Sequence, residues 1–394
     1  MRFKLILALG TVLTSQVQAS GFALIEQNAS GMGNAYAGQA AVAEDASTIY
    51  FNPAGMTYLP GHQIVVAGHF ILPSAKFTGT STAPTGSDGG NAGESAFVPN
   101  FYYSMDIGQG LKFGIGLNAP FGLTTEYDRP WDGQALAVKS ELKTYNLNPS
   151  VAWRVNEHLS LGVGLNWQRI EAELTSFPGI PVSMTGDDEG SWSWNAGAIW
   201  DMDGASRLGL AYRASMEHRL KGNLVGIGVT PAYADLELPA SVSASYWRRL
   251  NAAWEVLADA TWTQWSDFKY LDIHRQSDDF LLSRTEELWE NTFRFSVGLN
   301  YHPNRAWTWR MGLAYDQSPV PDADHRTPRI PDNDRTWVSL GGQYRMNTAS
   351  AVDFGYSHIF VKDGPVTHTS SGVTLTGSYD NKIDILSVQY THSF

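Results

Sequence analysis

Residues Leu159–Trp167 read LSLGVGLNW, with apolar side chains at every second position and serine, glycine or asparagine between them. A period of two is the pattern of a β-strand whose two faces meet different surroundings. The same alternation returns at 292–302, 307–317 and 351–361. These stretches predict an all-β protein, either a soluble sandwich or a transmembrane barrel.

The lengths of the strands and loops favour the barrel. Many candidate strands are about as long as the ten residues that a tilted strand needs to cross a bilayer. Fourteen candidates lie at 63–77, 96–107, 111–118, 138–154, 159–174, 192–202, 207–220, 240–250, 254–270, 292–302, 307–317, 335–346, 351–361 and 382–394. Short turns alternate with long polar loops, which are predicted at 78–95, 119–137, 175–191, 221–239, 271–291, 318–334 and 362–381. This rhythm and the even strand number predict a fourteen-stranded antiparallel transmembrane β-barrel.

The composition of the 394 residues excludes several classes of protein. A net charge of −12 argues against a nucleic-acid partner, and the absence of cysteine rules out disulfides and thiolate metal sites. Beyond the N-terminus, no run of about 18 apolar residues would form a membrane helix. The sequence contains neither G-x-S-x-G nor H-E-x-x-H, and its ten histidines are scattered. We therefore predict no enzymatic activity, no catalytic residue, no cofactor and no metal site.

The two ends of the chain indicate export and barrel assembly. Met1–Ala19 has basic residues at Arg2 and Lys4, a short apolar core and a small-residue cleavage site, which predicts a signal peptide. At the other end, Val388–Phe394 alternates and finishes on an aromatic residue. This closing strand resembles the recognition signal that outer-membrane barrels offer to their assembly machinery, with Phe394 as its last residue. The predicted location is the outer membrane of a Gram-negative bacterium.

Tryptophans concentrate near the ends of the candidate strands. Aromatic residues at such positions form girdles at the two membrane surfaces. The tryptophans that this pattern assigns to the girdles are Trp153, Trp167, Trp247, Trp254, Trp262, Trp265, Trp307 and Trp309.

The segment 20–60 does not fit a barrel strand. It is rich in glycine and alanine, a composition suited to short helices packed in a confined space. Its apolar residues, which include Phe22, Leu24 and Phe51, argue against a disordered tail. Two locations stay open on these grounds, namely the periplasm and the lumen of the barrel, where the segment would be a plug.

A strand that begins near Lys112 is interrupted at Asn118-Ala119-Pro120-Phe121-Gly122. Proline cannot donate a hydrogen bond to a neighbouring strand, and glycine accepts unusual dihedral angles. Strand pairing is therefore predicted to fail here. Either the barrel wall is kinked at this point, or Pro120 simply starts the following loop.

Three motifs resemble those of one family of membrane transporters. They are Asn52-Pro53-Ala54, Tyr145–Ser150 and Ile330–Trp337, in the order in which that family carries them. The chain resembles the outer-membrane long-chain fatty-acid transporter family (FadL/TodX type, OMPP1) over essentially its whole mature length. With this resemblance, the chain divides into a signal peptide at 1–19, an N-terminal hatch (plug) inside the barrel at 20–60, and the transmembrane barrel at 61–394.

The resemblance also implies a mechanism of passive uptake. A long-chain fatty acid or a similar hydrophobic compound would bind among the loops, move to a lumen site and leave sideways through a gap at the kinked third strand. Phe22 and Leu24 would lie beside the ligand. Asn52-Pro53-Ala54 would hold the hatch against the gap, although an Asn-Pro sequence also favours an ordinary turn. The implied partners are the ligand, outer-membrane lipid and lipopolysaccharide, and the implied oligomeric state is a monomer.

Two alternatives to fatty-acid uptake stay open. The family also contains channels for toluene-like aromatic hydrocarbons, and the loops that would first capture the ligand, at 175–191 and 221–239, are short in this chain. A general diffusion porin fits the sequence less well, because such a pore has no use for a plug of about 40 residues.

A carboxylate ligand needs a cation in the lumen. The candidates, each expected on the polar face of a strand, are Arg169, Arg213, Arg294 and Arg310. Each has a structural alternative, which is an ion pair with a lumen acid such as Glu171 or Asp353. Loop 318–334 also combines aspartates with arginines, which favours a salt-bridge network over a divalent-cation site.

Overall fold

A computed structural model describes residues 21–394, so the predicted signal peptide lies outside the described residues. The helices in this part of the chain are α1 (Ala29–Met32), α2 (Gln39–Val42), α3 (Thr48–Phe51) and the 3₁₀ helices Pro53–Tyr58 and Trp265–Asp267. None of these helices is long and apolar enough to span a bilayer. The strands are β1 (Gln63–Ser81), β2 (Ala96–Gly108), β3 (Leu111–Asn118), β4 (Gly122–Glu126), β5 (Lys139–Arg154), β6 (Leu159–Ser176), β7 (Val182–Asp201), β8 (Ser206–Arg213), β9 (Met216–Val225), β10 (Val229–Leu238), β11 (Ser241–Arg249), β12 (Trp254–Thr263), β13 (Tyr270–Arg275), β14 (Leu281–Glu286), β15 (Thr292–Tyr301), β16 (Trp307–Asp316), β17 (Arg335–Arg345), β18 (Ser350–Val361), β19 (Gly364–Val366), β20 (Thr369–Ser370) and β21 (Val373–Ser393).

The strands form one closed antiparallel barrel. Wall strands pair with their neighbours along the chain, and β1 pairs with β21, from Gln63 beside Ser393 to Ser81 beside Leu375. Five wall strands consist of two segments each, namely β3 with β4, β8 with β9, β10 with β11, β12 with β13, and β14 with β15. Because β19 and β20 lie in the connection before β21, the described chain crosses the wall fourteen times. The predicted fold class and strand number are confirmed. The long connections lie at one end of the barrel, the loop end, and the short turns lie at the other, the turn end.

The predicted alternation is also confirmed on the wall. On β6 the side chains of Leu161, Val163 and Leu165 are 42%, 54% and 56% exposed on the outer surface, whereas Gly162 faces the lumen. Apolar residues outside and small residues inside suit a wall with lipid on one side and a packed lumen on the other. A side chain at Gly162 would collide with the backbone of Ala54. The small lumen residues therefore make room for the N-terminal segment.

Several predicted loops are wrong in extent, because strands continue beyond the apolar band. β7 begins at Val182 rather than at 192. β9 and β10 occupy most of the predicted loop 221–239, and β13 and β14 occupy much of 271–291. In these extensions apolar side chains such as Leu220 and Leu236 face inward and polar ones face outward, which is the reverse of the pattern on the lipid-facing wall, so a search for apolar outer faces does not reveal them. Backbone pairing between neighbours, as between β7 and β9, holds them in place.

Two of the tryptophans assigned to the aromatic girdles face the lumen instead. Trp153 and Trp309 are 48% and 44% exposed on the outer surface, as predicted. Trp247 and Trp265 are only 4% and 1% exposed. Trp247 shares the inward parity of Ser245 on β11. Trp265 lies in a 3₁₀ helix, where a period of two no longer applies.

Residues 21–59, here called the plug segment, lie inside the barrel, and most of them are buried. α1 packs against β17 and β18, and α2 packs against β8 and β11. The 3₁₀ helix Pro53–Tyr58 packs against β5, β6 and β7. The sequence left two locations open for this segment, and in the structure it lies in the lumen.

Candidate functional site

The wall strand formed by β3 and β4 is interrupted at residues 119–121. β3 pairs with β2 on one side and with β5 on the other, whereas β4 has β5 as its one strand partner within the described chain. The pairing of β2 with β3 stops at Phe101 beside Leu117, so residues 96–100 of β2 pair with β1 alone among the described strands. A gap in the hydrogen-bonded wall therefore lies beside the break, within the stretch Asn118–Gly122.

The plug segment supplies hydrogen bonds to backbone groups that the break leaves without strand partners. Leu24 N donates to Pro120 O at 2.7 Å. Gly122 N donates to Phe22 O at 2.9 Å. Because a buried backbone group is costly to leave unpaired, the break and the N-terminal end of the plug segment stabilise each other.

Phe22 is the centre of a buried group of five rings, here called the aromatic cluster. Its ring centroid lies 4.9–6.0 Å from the centroids of Phe121, Trp265, Phe268 and Trp289. The preceding residue is also fastened, since Gly21 N donates to Asp332 Oδ2 at 3.0 Å. Asp332 in turn forms an ion pair with Arg335, which is one pair of the kind predicted for loop 318–334.

Two cavities border the aromatic cluster, one lined in part by Phe121 and Trp265 and the other by Phe22 and Phe268. The lumen cavity has a volume of about 150 Å³, and Leu24, Phe51 and Pro120 contribute to its apolar lining. The loop-side cavity has a volume of about 70 Å³, and apolar side chains such as Leu142 form most of its lining, with Phe22 at its base. An amphipathic molecule would therefore meet an apolar chamber first and a cavity with polar wall residues beyond the aromatic cluster.

Two of the four candidate arginines line the lumen cavity. Arg213 donates to Asn166 Oδ1 at 2.7 Å and to Tyr50 O at 3.0 Å. Arg294 donates to Ala35 O at 2.8 Å, and its Nε and Nη1 atoms have no hydrogen-bond partner in the described part of the chain. Among residues 21–394 neither guanidinium forms an ion pair, although two acids, Asp259 and Asp316, also line the cavity. Both arginines therefore have hydrogen-bonding capacity for an anionic group.

Arg310 holds the plug segment to the wall. Its side chain is fully buried, with Nη1 2.6 Å from Asp353 Oδ1 and Nη2 bonded to Glu44 of the plug segment. The structural alternative predicted for this residue is therefore the observed one, and Arg310 is not placed to bind a ligand.

Arg169 is a correction to the predicted site. It lies on the outer surface of β6, where it pairs with Glu171 at 3.2 Å and with Asp187 at 3.1 Å. Arg169 has the same parity as Leu165 and Trp167, and that parity faces away from the lumen. Glu171 lies on the same outer face and is not a lumen acid.

The motif Asn52-Pro53-Ala54 lies on a different part of the wall from the predicted one. Asn52 Nδ2 donates to Ala40 O at 2.7 Å and to Ala198 O of β7 at 3.1 Å, and Asn52 Oδ1 accepts from Ala54 N at 3.1 Å. The motif thus fastens the plug segment to β6 and β7, where wall glycines leave space for its backbone. The break at 119–121 is instead occupied by the segment that carries Phe22.

Two buried ionisable side chains, Glu287 and Arg329, line the loop-side cavity and were not predicted as site residues. Glu287 is 1% exposed, and burial raises the pKa of its carboxyl group to about 8. Arg329 donates to Ser140 Oγ at 3.0 Å and to Leu136 O at 2.9 Å, and burial lowers the pKa of its guanidinium to about 10. Both lie in connections between strands, where no periodic pattern marks a residue as buried. The apolar residues next to Glu287 were the one feature of the local sequence that indicated its burial.

Comparisons with known proteins agree with this architecture. The model of a family described as outer membrane protein transport protein (OMPP1/FadL/TodX) matches residues 10–394. The long-chain fatty acid transport protein of Salmonella typhi is 29% identical over 92% of this chain and 93% of its own length. The crystal structure of a Pseudomonas aeruginosa FadL homologue has a TM-score of 0.89 and 27% identity, covering 95% of this chain and 100% of that chain. The Ralstonia pickettii toluene transporter TbuX has a TM-score of 0.73 at 16% identity over 93% and 98% of the two chains, a likeness of fold.

Proposed function

The chain belongs to the OMPP1/FadL/TodX family of outer membrane transport proteins, and we propose that its substrates are long-chain fatty acids, which it takes up by passive diffusion. The family assignment makes the protein an outer-membrane transporter of hydrophobic compounds and not an enzyme. A fatty acid crossing this membrane meets a leaflet of packed, charged lipopolysaccharide. A protein that offers an apolar path bypasses this layer, and removing each methylene of the tail from water gains about 0.8 kcal/mol.

The observation that carries the proposal is the lining of the lumen cavity. Leu24 and Phe51 provide apolar surface, and Arg213 and Arg294 provide guanidinium groups that form no ion pair within the described chain. Ligand sites are commonly apolar with a few polar groups that fix the orientation of the ligand. A carboxylate head beside the arginines and an acyl tail toward the aromatic cluster match this distribution.

The proposed route uses the break in the third wall strand. The acyl chain enters the loop-side cavity and passes the aromatic cluster when Phe22 moves aside. That movement breaks the hydrogen bonds that join Leu24 to Pro120 and Gly122 to Phe22. The ligand then leaves sideways through the gap beside residues 119–121, with the plug segment acting as the hatch.

The remaining proposals concern the surroundings of the barrel. We propose that the protein is a monomer in contact with outer-membrane lipid and lipopolysaccharide. Phe394 is 71% exposed at the turn end, a position accessible to the barrel assembly machinery.

Uptake of labelled oleate and labelled toluene by cells that lack their own transporter tests the substrate. We expect this protein to restore oleate uptake. The alternative, an aromatic hydrocarbon channel, has one observation in its favour: a cavity of about 150 Å³ is the size that holds a single benzene ring in other proteins. Uptake of toluene without oleate would establish that alternative and would leave Arg213 and Arg294 with structural roles.

A further inference from the structure

Five buried asparagines form a continuous hydrogen-bonded group on the lumen face, here called the asparagine row. Its members are Asn195 on β7, Asn166 on β6, Asn146 and Asn148 on β5, and Asn118 on β3, each at most 5% exposed. Asn166 Nδ2 donates to Asn195 Oδ1 at 3.0 Å. Asn146 Nδ2 donates to Asn166 Oδ1 at 3.1 Å and to Asn118 Oδ1 at 3.0 Å. Side-chain amides thus link four neighbouring strands on the lumen face, in addition to the backbone pairing of these strands.

The asparagine row connects the lumen cavity with the break in the wall. Asn195 lines the cavity, and Arg213, which also lines it, donates to Asn166 of the row at 2.7 Å. At the other end, Asn118 is the last residue of β3 and directly precedes the break at 119–121. The row therefore runs from Arg213, the proposed binding partner of the carboxylate, to the gap in the wall, which is the proposed exit.

Several amide atoms of the row have hydrogen-bonding capacity left over. Asn195 Nδ2 and Asn118 Nδ2 are buried donors at the two ends of the row, and Asn146 Oδ1 and Asn148 Oδ1 are buried acceptors within it. None of the four atoms has a partner among the described residues. A buried polar atom without a partner costs about 1–3 kcal/mol. A structural row of amides would be expected to satisfy itself, whereas a row that receives a passing polar group has atoms available to it.

We propose that the asparagine row is a track for the head group, along which the carboxylate moves from Arg213 to the gap. The proposal rests on the proposed fatty-acid uptake and lateral exit. A carboxylate accepts hydrogen bonds, so the Nδ2 atoms of the row bind it directly, and the amide oxygens bind it through a water. An amide carries no charge, so it holds the head group less tightly than a guanidinium does. Several weak sites in succession favour passage, because the ligand is bound at each step but not trapped.

Substitution of Asn146, which joins both halves of the row, tests the track. Asn146→Leu keeps the branched shape without the amide, and Asn146→Asp keeps the size but places a negative charge in the path. We expect both variants to lower oleate uptake by about tenfold, which corresponds to one lost hydrogen bond to a charged group. Oleate binding by the purified protein in lipid nanodiscs is expected to stay within about twofold of wild type, since Arg213 and Arg294 are intact.

The matched control is Asn300, a buried lumen asparagine on β15 that donates to Glu255 at 3.0 Å and lies outside the row. Asn300→Leu and Asn300→Asp are expected to leave oleate uptake near the wild-type rate. If the Asn146 variants take up oleate as wild type does, or if their binding falls in parallel with uptake, the track proposal is wrong. Failure of the wild-type protein to take up oleate would instead reject the proposed substrate. If Asn146→Leu does not assemble, the isosteric Asn146→Asp carries the test.

Discussion

Arg213 and Arg294 are the lumen cations that remain as candidates for the carboxylate. We expect Arg213→Gln and Arg294→Gln each to weaken oleate binding by about tenfold, because each removes a charge-assisted hydrogen bond. Displacement of a fluorescent fatty acid from the purified protein measures this. Arg169→Gln, on the outer surface, is the control and is expected to bind as wild type does. Unchanged binding in both cavity variants would rule out these arginines as the head-group site.

Glu287 gives the loop end a pH-dependent stability. Burial raises the pKa of its carboxyl group from its usual value of 4.5 to about 8. Between these two values the unfolded loop releases the proton while the folded loop retains it, so stability falls as the pH rises through this window. Glu287→Gln is neutral at every pH and removes this contribution. We therefore expect the variant and wild type to melt at similar temperatures at pH 4, and the variant to melt at a higher temperature at pH 9. A difference that does not depend on pH would show that folding leaves the pKa of Glu287 at its usual value.

The sequence predicts which face of a strand some of these arginines occupy, but it does not predict ion pairs between residues that are far apart in the chain. The polar faces of β8, β15 and β16 were identified correctly, and Arg213, Arg294 and Arg310 do face inward. The prediction for Arg169 was wrong, because Arg169 alternates in phase with Trp167 and therefore faces outward. Which inward arginine is already paired could not be predicted, because Arg310 and Glu44 are 266 positions apart. Only the closure of the barrel around the plug segment brings them together.

At the scale of elements, the break between β3 and β4 is the feature with a direct functional test. Replacing residues 118–122 with a regular strand sequence would allow this wall strand to pair with the free edge of β2 at 96–100. We expect such a variant to assemble normally and to lose oleate uptake. Heat-dependent electrophoretic mobility checks assembly, and labelled oleate checks uptake.

The wall offers a matched control for this change. β8 and β9 are also separated by a short break, at Ala214-Ser215. Replacing these two residues with a regular strand sequence removes a break whose backbone bonds to the wall and not to the plug segment, since Ala214 N donates to Trp194 O at 3.0 Å. We expect this control to retain oleate uptake. Normal uptake after the change at 118–122 would remove the lateral exit from the mechanism.

Local sequence predicts the elements best where one physical cause dominates. Pro120 and Gly122 disrupt a strand whatever surrounds them, so the break was predicted at its observed position. The wall strands followed from their contact with lipid on one face. Beyond the lipid the outer face of a strand is polar and its inner face lines the loop-side cavity, as Met184 does, so the pattern of apolar outer residues stops and the start of β7 was misplaced. The position of Asn52 depends on β7, more than a hundred residues away, whereas the resemblance implied a position beside the break.

At the scale of the whole molecule, the plug segment separates a transporter from an open pore. Small wall residues such as Gly162 and Gly312 let its backbone approach the barrel closely. Arg310 then fixes it through Asp353 of the wall and Glu44 of the plug segment. Removing Arg310 from its buried pair with Asp353 costs about 3–5 kcal/mol, because the carboxylate of Asp353 then stays buried without compensation. The plug segment is therefore held by steric fit, by hydrogen bonds to the wall and by the ion pair of Glu44 with Arg310.

Conductance in planar lipid bilayers measures how well this contact keeps the lumen closed. We expect the wild-type protein to pass little current, because the plug segment fills the lumen. Arg310→Gln leaves Asp353 and Glu44 without their cation, so the plug segment should loosen and the current should rise. Arg305→Gln, in an exposed turn at the turn end, removes a positive charge without touching the plug segment and is expected to conduct as wild type does. A rise with Arg310→Gln alone would show that one ion pair holds the lumen shut, and equal currents in all three proteins would show that steric fit suffices. A large steady current in the wild-type protein would contradict the transporter and establish a diffusion pore.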